Sequence, residues 1–204
     1  MRRFLPFIIL LIFQIPFMSQ AQRDFIRIEN GQFILQGQPY YFLGTNFWYG
    51  MNLGSEGAGG DQQRLLRELD QLKALGVKNL RIMAASEGPD DEPWRMLPSL
   101  QPEAGKYNED VLKGLDFLLA EMAKREMYAV VCLNNFWPWS GGMSQYRAWT
   151  KKQNIPYPPP AEGGNWATYQ TYTADFYGNK EAKALFEDHI RFILGRKNSL
   201  NGVA

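Results

Sequence analysis

The run Val77-Lys78-Asn79-Leu80-Arg81-Ile82-Met83-Ala84-Ala85 lies between two stretches of helical periodicity, and that placement decides the fold. Before it, residues 61–76 carry Leu65, Leu69, Leu72 and Leu75 at helical spacing, with Asp61 suited to cap the start and Gly76 the end. After it comes a Pro/Asp/Glu-rich loop reaching about residue 106. Asn108 then opens a second periodic stretch with Val111, Leu115, Leu118, Leu119 and Met122 on one stripe. A further apolar run, residues 127–134, is apolar on both pleat faces at its centre, as in a parallel strand covered on both sides. Strands alternating with helices predict a mainly parallel sheet with right-handed crossovers.

Working outward, residues 25–29 and 32–35 flank Asn30-Gly31, a strong hairpin signal, and residues 36–39 form a second turn. Residues 40–46 read as the first main strand and the glycine-rich residues 50–60 as a loop. On the far side, an aromatic, proline-containing connection over residues 136–178 carries a short helix near residues 166–175. Asn179 opens a third main helix with Leu185, Phe186, Ile190, Ile193 and Leu194 inward and Lys180, Lys183, Glu187 and Arg191 solvated. The expected architecture is a hairpin followed by three βα units.

At the amino terminus, Arg2 and Arg3 precede an apolar run, residues 4–18, and then Ser19-Gln20-Ala21. This reads as a secretory signal peptide over residues 1–21, the run being short of the roughly 20 apolar residues that span a bilayer. Residues 22–204 form the mature domain, expected to be secreted or periplasmic. The chain has 22 Lys+Arg against 21 Asp+Glu and is 45% hydrophobic, which disfavours disorder and charge-driven nucleic-acid binding. One Cys and one His fall short of a metal ligand set. Cys132 reads as a small buried hydrophobe, and His189, flanked by apolar residues at helical spacing, as structural. Gly44-Thr45-Asn46 lacks the dinucleotide glycine spacing, and no phosphate-loop lysine pattern appears.

Three groups of residues carry chemistry. Leu80, Ile82 and Ala84 share one pleat face of the decisive strand and Asn79, Arg81 and Met83 the other. With helices on the apolar face, Arg81 points toward the centre of the sheet or barrel, where a charge that cannot be shed requires a carboxylate or a ligand. Aromatic residues collect after the strands: Trp48 after the first, then Trp137, Trp139, Tyr146 and Trp149 after the third. Such rings can stack on the apolar faces of sugars while Asn and Tyr groups bond hydroxyls. Glu87, Asp90, Asp91 and Glu92 crowd one loop and read as solvated charges, and no acid–nucleophile pair of carboxyls can be named.

Taken together, Gly44-Thr45-Asn46-Phe47-Trp48-Tyr49, Val77-Lys78-Asn79-Leu80-Arg81-Ile82 and Leu133-Asn134-Asn135-Phe136-Trp137 through Ser140-Gly141-Gly142-Met143 resemble the β-mannanase branch of glycoside hydrolase family 5. Arg196-Lys197-Asn198-Ser199 looks like the turn after that family's third barrel helix. The resemblance implies a secreted (β/α)8 TIM barrel, an α/β fold, of which this chain covers the hairpin and roughly three βα units. It also implies endo-acting, retaining cleavage of β-1,4-mannosidic bonds in mannan-type polysaccharides by two glutamates, without metal or cofactor. Both glutamates are expected beyond Ala204, after the fourth and seventh strands, so the chain alone is expected to be inactive. By the same resemblance, Arg81 corresponds to an arginine that contacts the nucleophile, and Trp48, Asn134, Asn135 and Trp137 to the substrate cleft. Met83 stands where some relatives have tryptophan. The competing readings are another family 5 glycanase, such as an endoglucanase, and a non-catalytic carbohydrate-binding protein.

Overall fold

The computed structural model describes residues 25–203; the signal-peptide reading of residues 1–21 lies outside them. Strands β1 (Arg27–Glu29), β2 (Gln32–Leu35) and β3 (Gln38–Pro39) form an antiparallel sheet. Ile28 pairs with Phe33 across Asn30-Gly31, whose φ values of 50° and 77° give the turn that matches strand twist. Gln36-Gly37, at 52° and 74°, repeats it, which adds the short β3 to the expected hairpin. Pro39 is tolerated there because β3 is an edge strand.

The main unit holds the parallel sheet β4-β5-β6, built from β4 (Leu43–Asn46), β5 (Val77–Met83) and β6 (Tyr128–Cys132). Between β4 and β5 run α1 (Gly50–Gly54) and α2 (Gln62–Ala74), and between β5 and β6 runs α3 (Glu109–Lys124). Asp61 Oδ1 accepts from Arg64 N at 2.9 Å and Asn108 Oδ1 from Asp110 N at 3.1 Å, so both expected caps form. Gly76 follows α2 with φ +81°.

Helix α1 corrects the reading of residues 50–60 as loop. Its five residues are all buried, and a Cβ on Gly54 would lie 2.5 Å from Gly114 O of α3. Two glycines let the helices approach at backbone distance, and tertiary packing overrides their low helix propensity.

Beyond β6 the connection is more helical than expected. A 3-10 turn (Pro138–Ser140) leads into α4 (Gly142–Lys151), which the sequence reading missed, and α5 (Trp166–Ala174) falls where a short helix was expected. Helix α6 (Lys180–Gly195) is capped by Asn179 Oδ1, 3.1 Å from Ala182 N. Leu194 is exposed rather than inward.

The core packs Leu65 and Leu69 of α2, Leu80 and Ile82 of β5, and Val111, Leu112, Leu115 and Leu118 of α3. Strand β6 is the edge of the described sheet, where Val130 is 50% and Val131 37% exposed and Cys132 is half-buried. The turn after α6 is tied to α3 through Asp116. Arg196 Nη2 donates to it at 2.8 Å and Ser199 Oγ at 2.7 Å, while Asn198 Nδ2 donates to its backbone carbonyl at 2.8 Å. Burial raises the Asp116 pKa, but hydrogen bonds from Arg196 and Ser199 outweigh it and hold the carboxyl below its usual range.

Candidate active site

The carboxyl ends of the three parallel strands bring Asn46, Met83 and Cys132 to one edge of the sheet, and the loops that follow carry Trp48, Glu87 and Asn134. That edge hosts the active sites of α/β barrels. Leu80 and Ile82 are fully buried in the helix-packed core, so Arg81, between them, points to the opposite face, where it is exposed. Asn79 and Met83 share its face and are buried. Arg81 lies in register between Asn46 of β4 and Val130 of β6. No carboxylate lies within ion-pair distance of it among the described residues.

The aromatic residues separate into two groups. Trp48, 42% exposed, has its ring 5.1 Å from Trp139, and the two line an open pocket of about 390 Å³ with Trp94, Arg95 and Met96. Trp137, 50% exposed, instead sets its ring edge-on to Trp166 at 5.6 Å. Tyr146 is fully buried, with Trp149 edge-on to it at 5.3 Å, so these two are packing residues.

Asn134 and Asn135 brace the loop after β6. Asn134 Oδ1 accepts from Asn135 N at 2.7 Å, and Asn135 Oδ1 accepts from Trp137 N at 3.4 Å. Among the described residues, the buried Nδ2 of Asn134 meets no hydrogen-bond partner. A buried donor left unanswered is costly, and such groups mark places where a ligand or catalytic group completes the set.

Glu87 corrects the reading of its loop as solvated charge. It is 1% exposed, because Gly142 N donates to its Oε2 at 2.9 Å and the Tyr146 hydroxyl lies 3.4 Å from its Oε1. Burial pushes its carboxyl up to about 7, against the pull of the Gly142 N–H and the Arg95 charge. Arg95 in turn donates to the Glu87 carbonyl at 2.5 Å and to Gln145 Oε1 at 2.8 Å. Asp90 accepts from Ser99 N and Oγ, and Glu92 from the Tyr157 hydroxyl.

This network sets the loop that carries the cleft. Gly141 and Gly142 have φ of +77° and +56°, and a Cβ on either would meet Glu87 O at 2.0 Å or Asn135 O at 1.9 Å. Glu87 thereby clamps the turn against which Asn135 is held. Sequence reasoning missed it because its neighbours Asp90, Asp91 and Glu92 disguise it. The available signal was its place four residues past the end of β5.

His189 is structural, as its apolar flanks suggested. Its Nε2 lies 3.0 Å from Ala84 O and its Nδ1 3.2 Å from the Tyr107 hydroxyl. Assigning the proton to Nε2 satisfies both contacts. Burial pushes its pKa down to about 4, partly opposed by that carbonyl bond, so the ring is neutral near pH 7. Among the described residues no cluster of His, Cys, Asp and Glu could hold a metal ion.

The comparisons with known proteins agree with this geometry. The crystal structure of a glycoside hydrolase family 5 mannosidase from Rhizomucor miehei superimposes with a TM-score of 0.82 at 46% identity, covering 87% of this chain and 44% of that one. An endo-1,4-β-mannanase from the same organism gives a TM-score of 0.65 at 28% identity, covering 88% and 44%. Mannan endo-1,4-β-mannosidase 1 of Arabidopsis thaliana is 28% identical over 209 residues, 99% of this chain and 44% of its own length. The chain thus spans less than half the length of these relatives, and what it contains is the first part of a TIM-barrel fold. Residues 23–204 match the family described as GH family 5 beta-mannosidase-like, and the chain belongs to that family of glycoside hydrolases.

Proposed function

We propose that the protein carrying this chain hydrolyses internal β-1,4-mannosidic bonds of mannan-type polysaccharides with retention of configuration and without metal or cofactor. The observation that carries the proposal is Arg81, an exposed guanidinium at the middle of the parallel sheet, on the face turned away from the helices. Retaining glycosidases use two carboxyls roughly 5 Å apart, one of which must stay ionised to attack the sugar. A permanent cation beside that carboxyl favours its charged form. Trp48 and Trp139 supply apolar surface for sugar rings, and the unanswered Asn134 Nδ2 a donor. Export follows from the leader-like residues 1–21.

A second reading, release of mannose from chain ends, is favoured by the higher identity to the structure named a mannosidase, 46% against 28% for the one named an endo-mannanase. Digestion of mannohexaose by the complete protein separates the two. Internal cleavage yields di-, tri- and tetrasaccharides from the first minutes, whereas end-cleavage first yields mannose with mannopentaose and then shortens the chain one unit at a time. NMR of the first-formed anomer tests retention. Turnover of cellohexaose in preference to mannohexaose, or of neither, overturns the proposal.

A further inference from the structure

Trp94, in the loop between β5 and α3, has a backbone φ of +55°. For a bulky residue this left-handed conformation is strained by about 1–3 kcal/mol and persists only where its surroundings enforce it. The surroundings are tight: Arg95 is held by Glu87 O, Gln145 Oε1 and the Tyr157 hydroxyl, and Met96 N donates to Trp139 O at 2.8 Å. Yet the strain does not bury the ring, since Trp94 is 48% exposed. It aims the indole between two hollows. One is the pocket shared with Trp48 and Trp139; the other, about 400 Å³, is lined by Trp94, Pro156, Tyr157, Glu162, Asn165 and Thr168 among others.

The second hollow is built rather than incidental. The Tyr157 ring stands edge-on to Trp94 at 5.5 Å, and its hydroxyl is fixed between Arg95 Nη2 at 2.7 Å and Glu92 Oε2 at 2.6 Å. Asn165 Oδ1 caps α5 through Thr168 N at 2.9 Å, which orients the amide. An aromatic corner lined also by a carboxylate, an amide and a hydroxyl, the last two bonded to each other at 3.3 Å, suits a hexopyranose: the C–H face stacks on the ring and the hydroxyls meet the polar groups. Its size lies in the range of small-ligand sites.

We propose that Trp94 is the platform of a second hexopyranose-binding site, outside the strand-end cleft and contiguous with it through the wall Trp94 shares with Trp48 and Trp139. The site rests on the reading of the protein as a β-mannan hydrolase and extends it to longer or branched chains. Its occupant is either a distal backbone unit or a galactosyl side branch.

The test compares Trp94→Gly, Trp94→Phe and Glu162→Gln in the complete protein. Glycine relieves the positive φ, so the ring is removed without adding backbone strain. Kinetics are measured on mannotriose, mannohexaose and a galactosyl-substituted mannopentaose. Trp94→Gly should raise KM about tenfold on one of the larger substrates, the scale of losing an aromatic anchor, and by clearly less on mannotriose, because the ring also borders the pocket of Trp48 and Trp139. Trp94→Phe should retain most of the affinity, and Glu162→Gln should show a smaller loss on the same substrate. A loss on mannohexaose identifies a backbone unit and one confined to the branched substrate a side branch. Equal losses on mannotriose, or no loss on any substrate, overturn the site. If the parent protein hydrolyses none of the three, the proposed function fails instead. The site is then judged by fluorescence titration with mannohexaose and the branched sugar, where quenching abolished by Trp94→Gly supports it and quenching unaffected, or absent, overturns it.

Discussion

Glu87 and Arg81 are six positions apart on and just beyond one strand, yet they meet opposite surroundings. Glu87 is buried under a loop layer that answers it with the Gly142 N–H and the Tyr146 hydroxyl. Arg81 is exposed on the sheet face turned from the helices, between the buried Asn79 and Met83 and beside Val130 at 50% exposure, with no ion pair among the described residues. The loop layer is self-sufficient: it fixes its own geometry with groups from residues 87–157. The sheet face offers a charge and apolar surface for others to meet. A charge with complete partners organises structure, and one without them is available for chemistry.

Several changes would break or sharpen that contrast. Arg81→Ala in the complete protein should lower kcat on mannohexaose by about 10²–10³-fold, the scale of losing one electrostatic stabiliser, and by more than any accompanying loss of unfolding free energy accounts for. A destabilisation as large as the activity loss would make Arg81 a structural group like Glu87. Asp116→Ala, at the other fully answered carboxylate, should do the reverse. It removes the acceptor of Arg196, Ser199 N and Ser199 Oγ, while Arg196 keeps Glu109 Oε1 at 2.9 Å, and should cost about 2 kcal/mol in denaturant unfolding, with kcat preserved in the folded fraction.

Glu87 gives the contrast a pH signature. Its carboxyl is raised from 4.5 to about 7, so between those values the folded protein keeps a proton that the unfolded chain has released. Its contribution to stability is therefore full below about pH 4.5 and falls by up to about 3 kcal/mol as pH rises to 7. Glu87→Gln, permanently neutral, should lack that component, so its melting temperature should rise relative to the parent protein's as pH goes from 4.5 to 7. The smallest effect is expected at Asn179, where loss of the α6 cap by Asn179→Ala should cost about 1 kcal/mol in chemical denaturation.

What could be read from sequence was what is decided within a few residues. The caps Asp61, Asn108 and Asn179 and the pleat alternation around Arg81 are local, and each forms as the pattern requires. Helix α1 was hidden because its glycines become helical only through contact with Gly114, sixty residues on. Helix α4 was hidden because Gly141-Gly142 looks like a loop until Glu87 clamps it. The burial of Glu87 is invisible for the same reason: its partners Gly142 and Tyr146 lie 55 and 59 residues away. Trp94 stands in a stretch whose composition announces only a turn, and its positive φ is imposed by Arg95 and Met96 through bonds to distant residues.

The imidazole seated on Ala84 O has a consequence for acid tolerance. His189 is lowered to about 4, so as pH falls below 6.5 the unfolded chain gains a proton that the native state refuses, and the fold loses ground. Glu87, three residues from that carbonyl, runs the opposite way over most of the same interval. The two act as counterweights, giving a plateau between roughly pH 4.5 and 6.5 that replacing either one alone would tilt, in opposite directions.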